Sequence, residues 1–206
     1  MGNHTSSSLI SLEDLPLQGQ LHRPLVLVSD AFMTKATSTY TMDTTSHTVS
    51  KAGKTVFQLK ETSDGLLWNR RTECVDQHGN VVGSVKSGVV YAGKSSSVAR
   101  PTAVLKTNSI QKTISIELAG RKRLQLQAHA HQAVLFLESN ATSSGLVAIG
   151  HFEKTDSIWT MTLAAGVDTT VGLFALSSLN DMQRNFMTPT FSPRGGRLRK
   201  SLSALA

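Results

Sequence analysis

Chemistry begins at the amino end of the chain. Met1-Gly2-Asn3-His4-Thr5-Ser6 fits the N-myristoylation pattern: loss of Met1 exposes the unhindered α-amine of Gly2, and small polar residues follow. One myristoyl chain holds a membrane weakly, with an association constant of about 10⁴ M⁻¹, so a second signal is needed. No cysteine lies nearby for palmitoylation, which leaves basic residues. Two groups qualify: Arg121-Lys122-Arg123, which reads as a hairpin tip, and the terminal block Arg194, Arg197, Arg199 and Lys200. Each can grip phosphates, or serve as ordinary solvated charge. His129 and His131, two apart, are expected to share one face of a strand. A metal would need a third ligand, and His151 qualifies only if the fold brings it near, so a structural or solvent-facing role is the simpler reading. Cys74 is the sole cysteine, which excludes an intrachain disulfide and a cysteine-rich zinc module. No His/Asp arrangement marks it as a nucleophile, and it reads as a small core residue. There is no P-loop, no GxGxxG with a following acid and no HExxH. The expectation is therefore no enzyme, no metal and no cofactor.

The elements that must position these residues are mostly strands. Period-two alternation runs through Phe57 and Leu59, through Ile114, Ile116 and Leu118, through Leu124, Leu126, Ala128 and Ala130, and through Trp159, Met161, Leu163 and Ala165. Arg70 and Arg71 must point to opposite faces of theirs, one outward, the other near a rim or paired with an acid. Turn residues separate the runs at 51–54, 78–80, 119–122 and 140–145. The segment 51–60 also lines up with 77–86, each a Gly turn followed by a strand ending in Lys, as successive hairpins of a meander would. Short strands at this spacing predict an antiparallel barrel or sandwich. One late segment changes period. After Asp168, a good N-cap, Val171, Phe174, Ala175, Leu179, Met182 and Phe186 fall on one helical face, with Gly172, Leu173 and Leu176 adding apolar surface around the first turns. A helix apolar nearly all round should be buried there, and Asn180, Asp181, Gln183 and Arg184 should carry its second half toward solvent. Trp68 and Trp159 read as core anchors.

The chain of 206 residues is 39% apolar and 17% charged, with a net charge of +7. It is long enough for one sizeable core. No run of 18 apolar residues and no Sec-type signal is visible, and with one cysteine the expectation is a reducing, cytoplasmic setting. Basic balance points to anionic partners. Residues 1–23 read as a flexible arm, 24–187 as the folded body and 188–206 as a basic flexible tail.

The stretch TYTMDTTSHTVSKAGKTVFQLK, residues 39–60, resembles the opening of the LURP-one-related domain, a strand ending in Asp, a Gly turn and a Val-Phe-Lys-type strand. Residues 66–86, LLWNRRTECVDQHGNVVGSVK, resemble its next hairpin with an Asp-x-x-Gly-Asn turn. Residues 159–183, WTMTLAAGVDTTVGLFALSSLNDMQ, resemble its ending, a strand running through an Asp into a hydrophobic helix, although Gly172, Ser177 and Ser178 dilute the usual aromatic and branched pattern. The resemblance implies a mainly β, tubby-like fold: a closed antiparallel barrel of about twelve strands around one C-terminal hydrophobic helix. It also implies kinship in fold with tubby proteins, which bind phosphoinositides, and with phospholipid scramblases. Fold alone does not fix function.

The expected function is a non-catalytic, membrane-associated binding module that recognises anionic phospholipid or phosphoinositide headgroups, or a protein partner. It is expected to be monomeric, cytoplasmic, and peripheral on membranes if acylated. One alternative is a scramblase-like lipid transporter, which lacks support from any long apolar span or acidic calcium loop. The other is a nuclear or nucleic-acid-associated protein, suggested only by the basic balance; nucleic acid is not the expected partner.

Overall fold

A computed structural model describes residues 15–63, 70–95, 99–120, 122–139 and 145–187. The strands are β1 (Gln20–Leu25), β2 (Ser38–Asp43), β3 (Thr48–Lys51), β4 (Lys54–Ser63), β5 (Arg70–Asp76), β6 (Val81–Lys86) and β7 (Val89–Ala92). They continue as β8 (Pro101–Asn108), β9 (Thr113–Leu118), β10 (Arg123–His129), β11 (Gln132–Glu138), β12 (Leu146–Thr155), β13 (Ile158–Leu163) and β14 (Ala165–Val167), and the chain then enters helix α1 (Thr169–Met187). β2 to β13 run as one up-and-down meander of twelve strands, and β13 pairs antiparallel with β2 to close the barrel. Closure leaves these strands no free edges, which resolves the choice between barrel and sandwich. The two aligned segments are the β3–β4 and β5–β6 hairpin turns with their second strands, consecutive units of that meander.

Alternation decides what faces the lumen. β2 buries Ser38, Tyr40 and Met42, β9 buries Ile114 and Ile116, and β10 buries Leu124 and Leu126. Their inward side chains meet α1, which threads the barrel. Residues 169–176 of the helix are buried on every face, because each face meets a different stretch of wall. The helix leaves the core later than its polar residues suggest: Asn180 is still buried, and Asp181 and Gln183 are half-buried.

Glycines set the fit between wall and helix. A Cβ on Gly172 would lie 2.5 Å from the Met161 Sδ and 3.1 Å from a Leu163 methyl, so this residue, which dilutes the apolar pattern, is where α1 presses on β13. Gly88 in the β6–β7 turn has φ +76°, and a Cβ there would lie 2.8 Å from the Leu105 carbonyl oxygen. That oxygen belongs to backbone, which cannot swing aside. Gly88→Ala should therefore cost about 1–3 kcal/mol, from the left-handed conformation and the contact together. A chemical-denaturation midpoint unchanged by the substitution would refute this.

Because neighbouring strands are antiparallel, the turns alternate between two ends of the barrel. At one end α1 begins, and residues 25–34 close it. Asp168 N–H donates to the Leu25 carbonyl at 2.9 Å, Thr34 N–H to Val167 at 3.0 Å, and Thr169 Oγ1 to the Phe32 carbonyl at 2.9 Å. Phe32 also meets Phe57 edge-on at 5.5 Å between centroids. β1 pairs in parallel with β14. The described part of the expected arm is thus packed: β1 starts at Gln20, and Gln18 N–H donates to the Ala148 carbonyl at 2.9 Å. β1 carries no alternation, since only Leu25 is buried, and it forms because β14 offers it an edge. At the other end α1 emerges among the turns at 44–47, 87–88, 109–112, 130–131 and 156–157.

Candidate functional site

The barrel end where α1 emerges holds a cleft of about 540 Å³. Leu179, Met182 and Gln183 of the helix form one wall, and Ala128, the tips of two turns and Lys154 of β12 form the rest. The β8–β9 turn brings Ser109, Ile110 and Lys112, the β10–β11 turn brings Ala130 and His131, and β12 brings Lys154. Ile110 is 95% exposed, at the tip of its turn. Lys154 is held in place: its Nζ lies 5.6 Å from the centre of the Trp159 ring and donates to Gln183 Oε1 at 3.3 Å. Trp159 beneath it is wholly buried, as a core anchor should be. A smaller cleft, of about 270 Å³, flanks the helix on its other side between Thr72, Gly88, Leu105, Ser178 and Asp181. The mouth thus has apolar walls with cationic side chains standing over them on one flank of α1.

The residues singled out by sequence scatter from this mouth. Gly2, Arg121, Arg194, Arg197, Arg199 and Lys200 lie outside the described residues, as does Trp68. Lys122 and Arg123 are in the β9–β10 turn and the start of β10, at the end where α1 begins. Leu179 to Gln183 lie ten to fourteen residues along α1 from Thr169, so at 1.5 Å per residue that end is roughly 15–21 Å along the axis from the cleft. Arg123 stands opposite Glu117 in the ladder, and Lys106 Nζ donates to Glu117 Oε2 at 3.0 Å. The hydrogen bond and charge of Lys106, then the charge of Arg123, hold the Glu117 carboxyl below its usual range, with desolvation opposing them. Arg123 therefore already has an acid in its field.

Other expectations on single residues are answered by the wall. His129 and His131 do not share a strand face, because β10 ends at His129 and Ala130, at φ 49°, turns the chain. Among the described residues no group of three His, Cys, Asp or Glu could hold a metal ion. His151 is on the outer wall beside Leu17 in a shallow groove, and burial pushes its imidazole below the ordinary value, against a hydrogen bond with the Leu15 backbone. Arg71 pairs with Glu73 at 3.0 Å, the acid-paired one of the two alternatives for an inward arginine. Cys74 is wholly buried in the core; desolvation, then the charges of Asp168 and Asp76, push its thiol up to about 12. Such a thiol stays protonated at neutral pH.

Sequence reasoning missed Ile110, Lys112, Lys154 and His131 as a group. They come from two separate turns and a strand, and share no spacing. One signal was present: Ile110 is an apolar residue inside the polar turn Asn108-Ser109-Ile110-Gln111-Lys112. Among the described residues no helix is long and apolar enough to cross a membrane.

Neither a protein-family model nor a curated protein matches this chain. The X-ray structure of a protein from Arabidopsis thaliana is similar to it, with a TM-score of 0.63 at 14% identity, over 77% of this chain and 99% of that one. At that identity the likeness is one of fold, and it extends over nearly the whole of the plant protein.

Proposed function

We propose that this protein is a non-catalytic binding module of the LURP-one-related, tubby-like kind that attaches peripherally to membranes carrying anionic lipid. The observation that carries the reading is the mouth around α1, where the exposed Ile110 stands beside Lys112, with Lys154 and His131 across the cleft. An apolar tip flanked by cations suits a surface with a negative headgroup layer over hydrocarbon. The net charge of +7 adds long-range attraction. In this reading Gly2, if acylated, and Arg194, Arg197, Arg199 and Lys200 supply further attachment. Lys122 and Arg123 face away from a bilayer that meets the barrel end-on at the mouth.

Flotation with phosphatidylserine-containing and pure phosphatidylcholine vesicles tests the proposal. Binding should require the anionic lipid and weaken as salt rises. Ile110→Asp removes an apolar side chain worth about 1.5–3 kcal/mol on burial, so it should weaken binding by at least about tenfold. Equal binding to both vesicle types, or none to either with strongly salt-dependent binding to duplex DNA, would overturn the reading.

A further inference from the structure

The cleft at the mouth has features that a flat membrane contact does not require. Its depth is lined by Ala128, Leu179 and Met182, and two lysines and a histidine stand around it, with no Asp or Glu among the described lining residues. Its volume of about 540 Å³ falls within the ~300–1,000 Å³ of small-molecule sites. That volume suits one acyl chain better than the two of a bilayer lipid. Lys154 is already fixed by Trp159 and Gln183, so binding an anion there forfeits little side-chain freedom. An extended peptide has no barrel edge to pair with here, because β2 to β13 are closed.

We propose that this cleft binds a single-chain anionic amphiphile, its acyl chain against Ala128, Leu179 and Met182 and its carboxylate or phosphate head on Lys112, Lys154 and His131. The proposal rests on the same mouth as the membrane reading and deepens it, but it requires no bilayer.

Calorimetric titration of the full chain tests it, with fatty acids from octanoate to myristate below their micelle concentrations. Affinity should rise about fourfold per added methylene, the ratio corresponding to ~0.8 kcal/mol per buried CH₂, and level off once the cleft is full. Lysophosphatidate in a parallel arm distinguishes a phosphate from a carboxylate head. A monoacylglycerol of equal chain length should bind at least about tenfold more weakly than the better anion. Lys112→Gln, at an exposed position, should weaken the anions and leave the monoacylglycerol unchanged, while Ala128→Trp should fill the cleft and abolish binding of all of them. If Ala128→Trp does not fold, the chain-length series and Lys112→Gln still decide. No binding, binding indifferent to head charge, or full binding by a folded Ala128→Trp variant would overturn the proposal. Vesicle flotation without amphiphile binding defeats this proposal alone, and amphiphile binding without flotation defeats the membrane reading alone.

Discussion

Phe174→Ala should destabilise the protein by about 3–5 kcal/mol, as removal of a fully buried aromatic does. Phe174 is wholly buried, and its ring points at the wall where β6 carries Gly83. A Cβ on Gly83 would lie 3.1 Å from the Phe174 Cζ and 3.0 Å from a Val28 methyl, so the wall is thinned at that point to admit the ring. The cavity left by alanine has little to collapse into it. A glycine has no side chain to reorient, and the strand backbone is held on both sides, by β5 and by β7. Incomplete collapse puts the cost in the upper part of that range. In a domain of this size the melting temperature should fall by roughly 6–20 °C. Urea unfolding followed by circular dichroism measures it directly. A loss below about 1 kcal/mol would mean that the helix does not fill the barrel.

Burial of this helix was legible because, after Thr169 and Thr170, its first turns are apolar nearly all round, a pattern an enclosing wall explains. The strands were legible because each lines a lumen on one face. Closure was not: the β13–β2 pairing joins residues such as Trp159 and Met42, more than a hundred positions apart, and alternation alone fits a sandwich as well. β1 was illegible for a different reason. Five of its six side chains are not buried, so it has no periodicity to read, and its place follows from the β14 edge. The histidine pair was misplaced because nothing in Leu124 to His131 marks where alternation gives way to a turn. Ala130 takes a left-handed conformation that usually falls to Gly or Asn. The mouth was hidden for a related reason. Lys112, His131 and Lys154 are ordinary turn and strand-end residues until α1 brings Leu179 and Met182 up between them. Gly172 shows the converse case, in which a residue that weakens a sequence pattern is required by the packing.

Asp168→Ala should cost about 3–6 kcal/mol, although it removes a buried charge. The N-cap role was visible in sequence: Asp168 Oδ1 accepts from Thr170 N–H at 2.9 Å and from Thr170 Oγ1 at 2.6 Å. The larger role was not. Asp168 Oδ2 accepts from the backbone N–H groups of Leu27, Val28 and Ser29 at 2.9, 2.8 and 3.3 Å. One carboxylate thus joins the start of α1 to the segment that closes this end of the barrel. Two effects oppose each other on substitution. Removing a buried carboxylate relieves its desolvation cost, which is why some buried ion pairs can be replaced by apolar residues without loss. That exchange works only when both partners become apolar. Here the partners are main-chain donors, which no side-chain change can remove. Loss of the cap costs about 0.5–2 kcal/mol, and each buried donor left without an acceptor about 1–3 kcal/mol, so the unfavourable side prevails. Asp168→Asn supplies the control. Its single amide oxygen can serve Thr170 or the 27–29 backbone but not both, so its loss should be smaller than that of alanine. Amide hydrogen exchange separates this from general destabilisation. In the Ala variant, which keeps neither set of acceptors, Leu27 and Val28 should exchange faster by a larger factor than Leu126 or Leu135 in the barrel wall. An alanine variant within about 1 kcal/mol of the parent, or one whose exchange rises evenly over the whole barrel, would show that Asp168 does not hold helix and closing segment together.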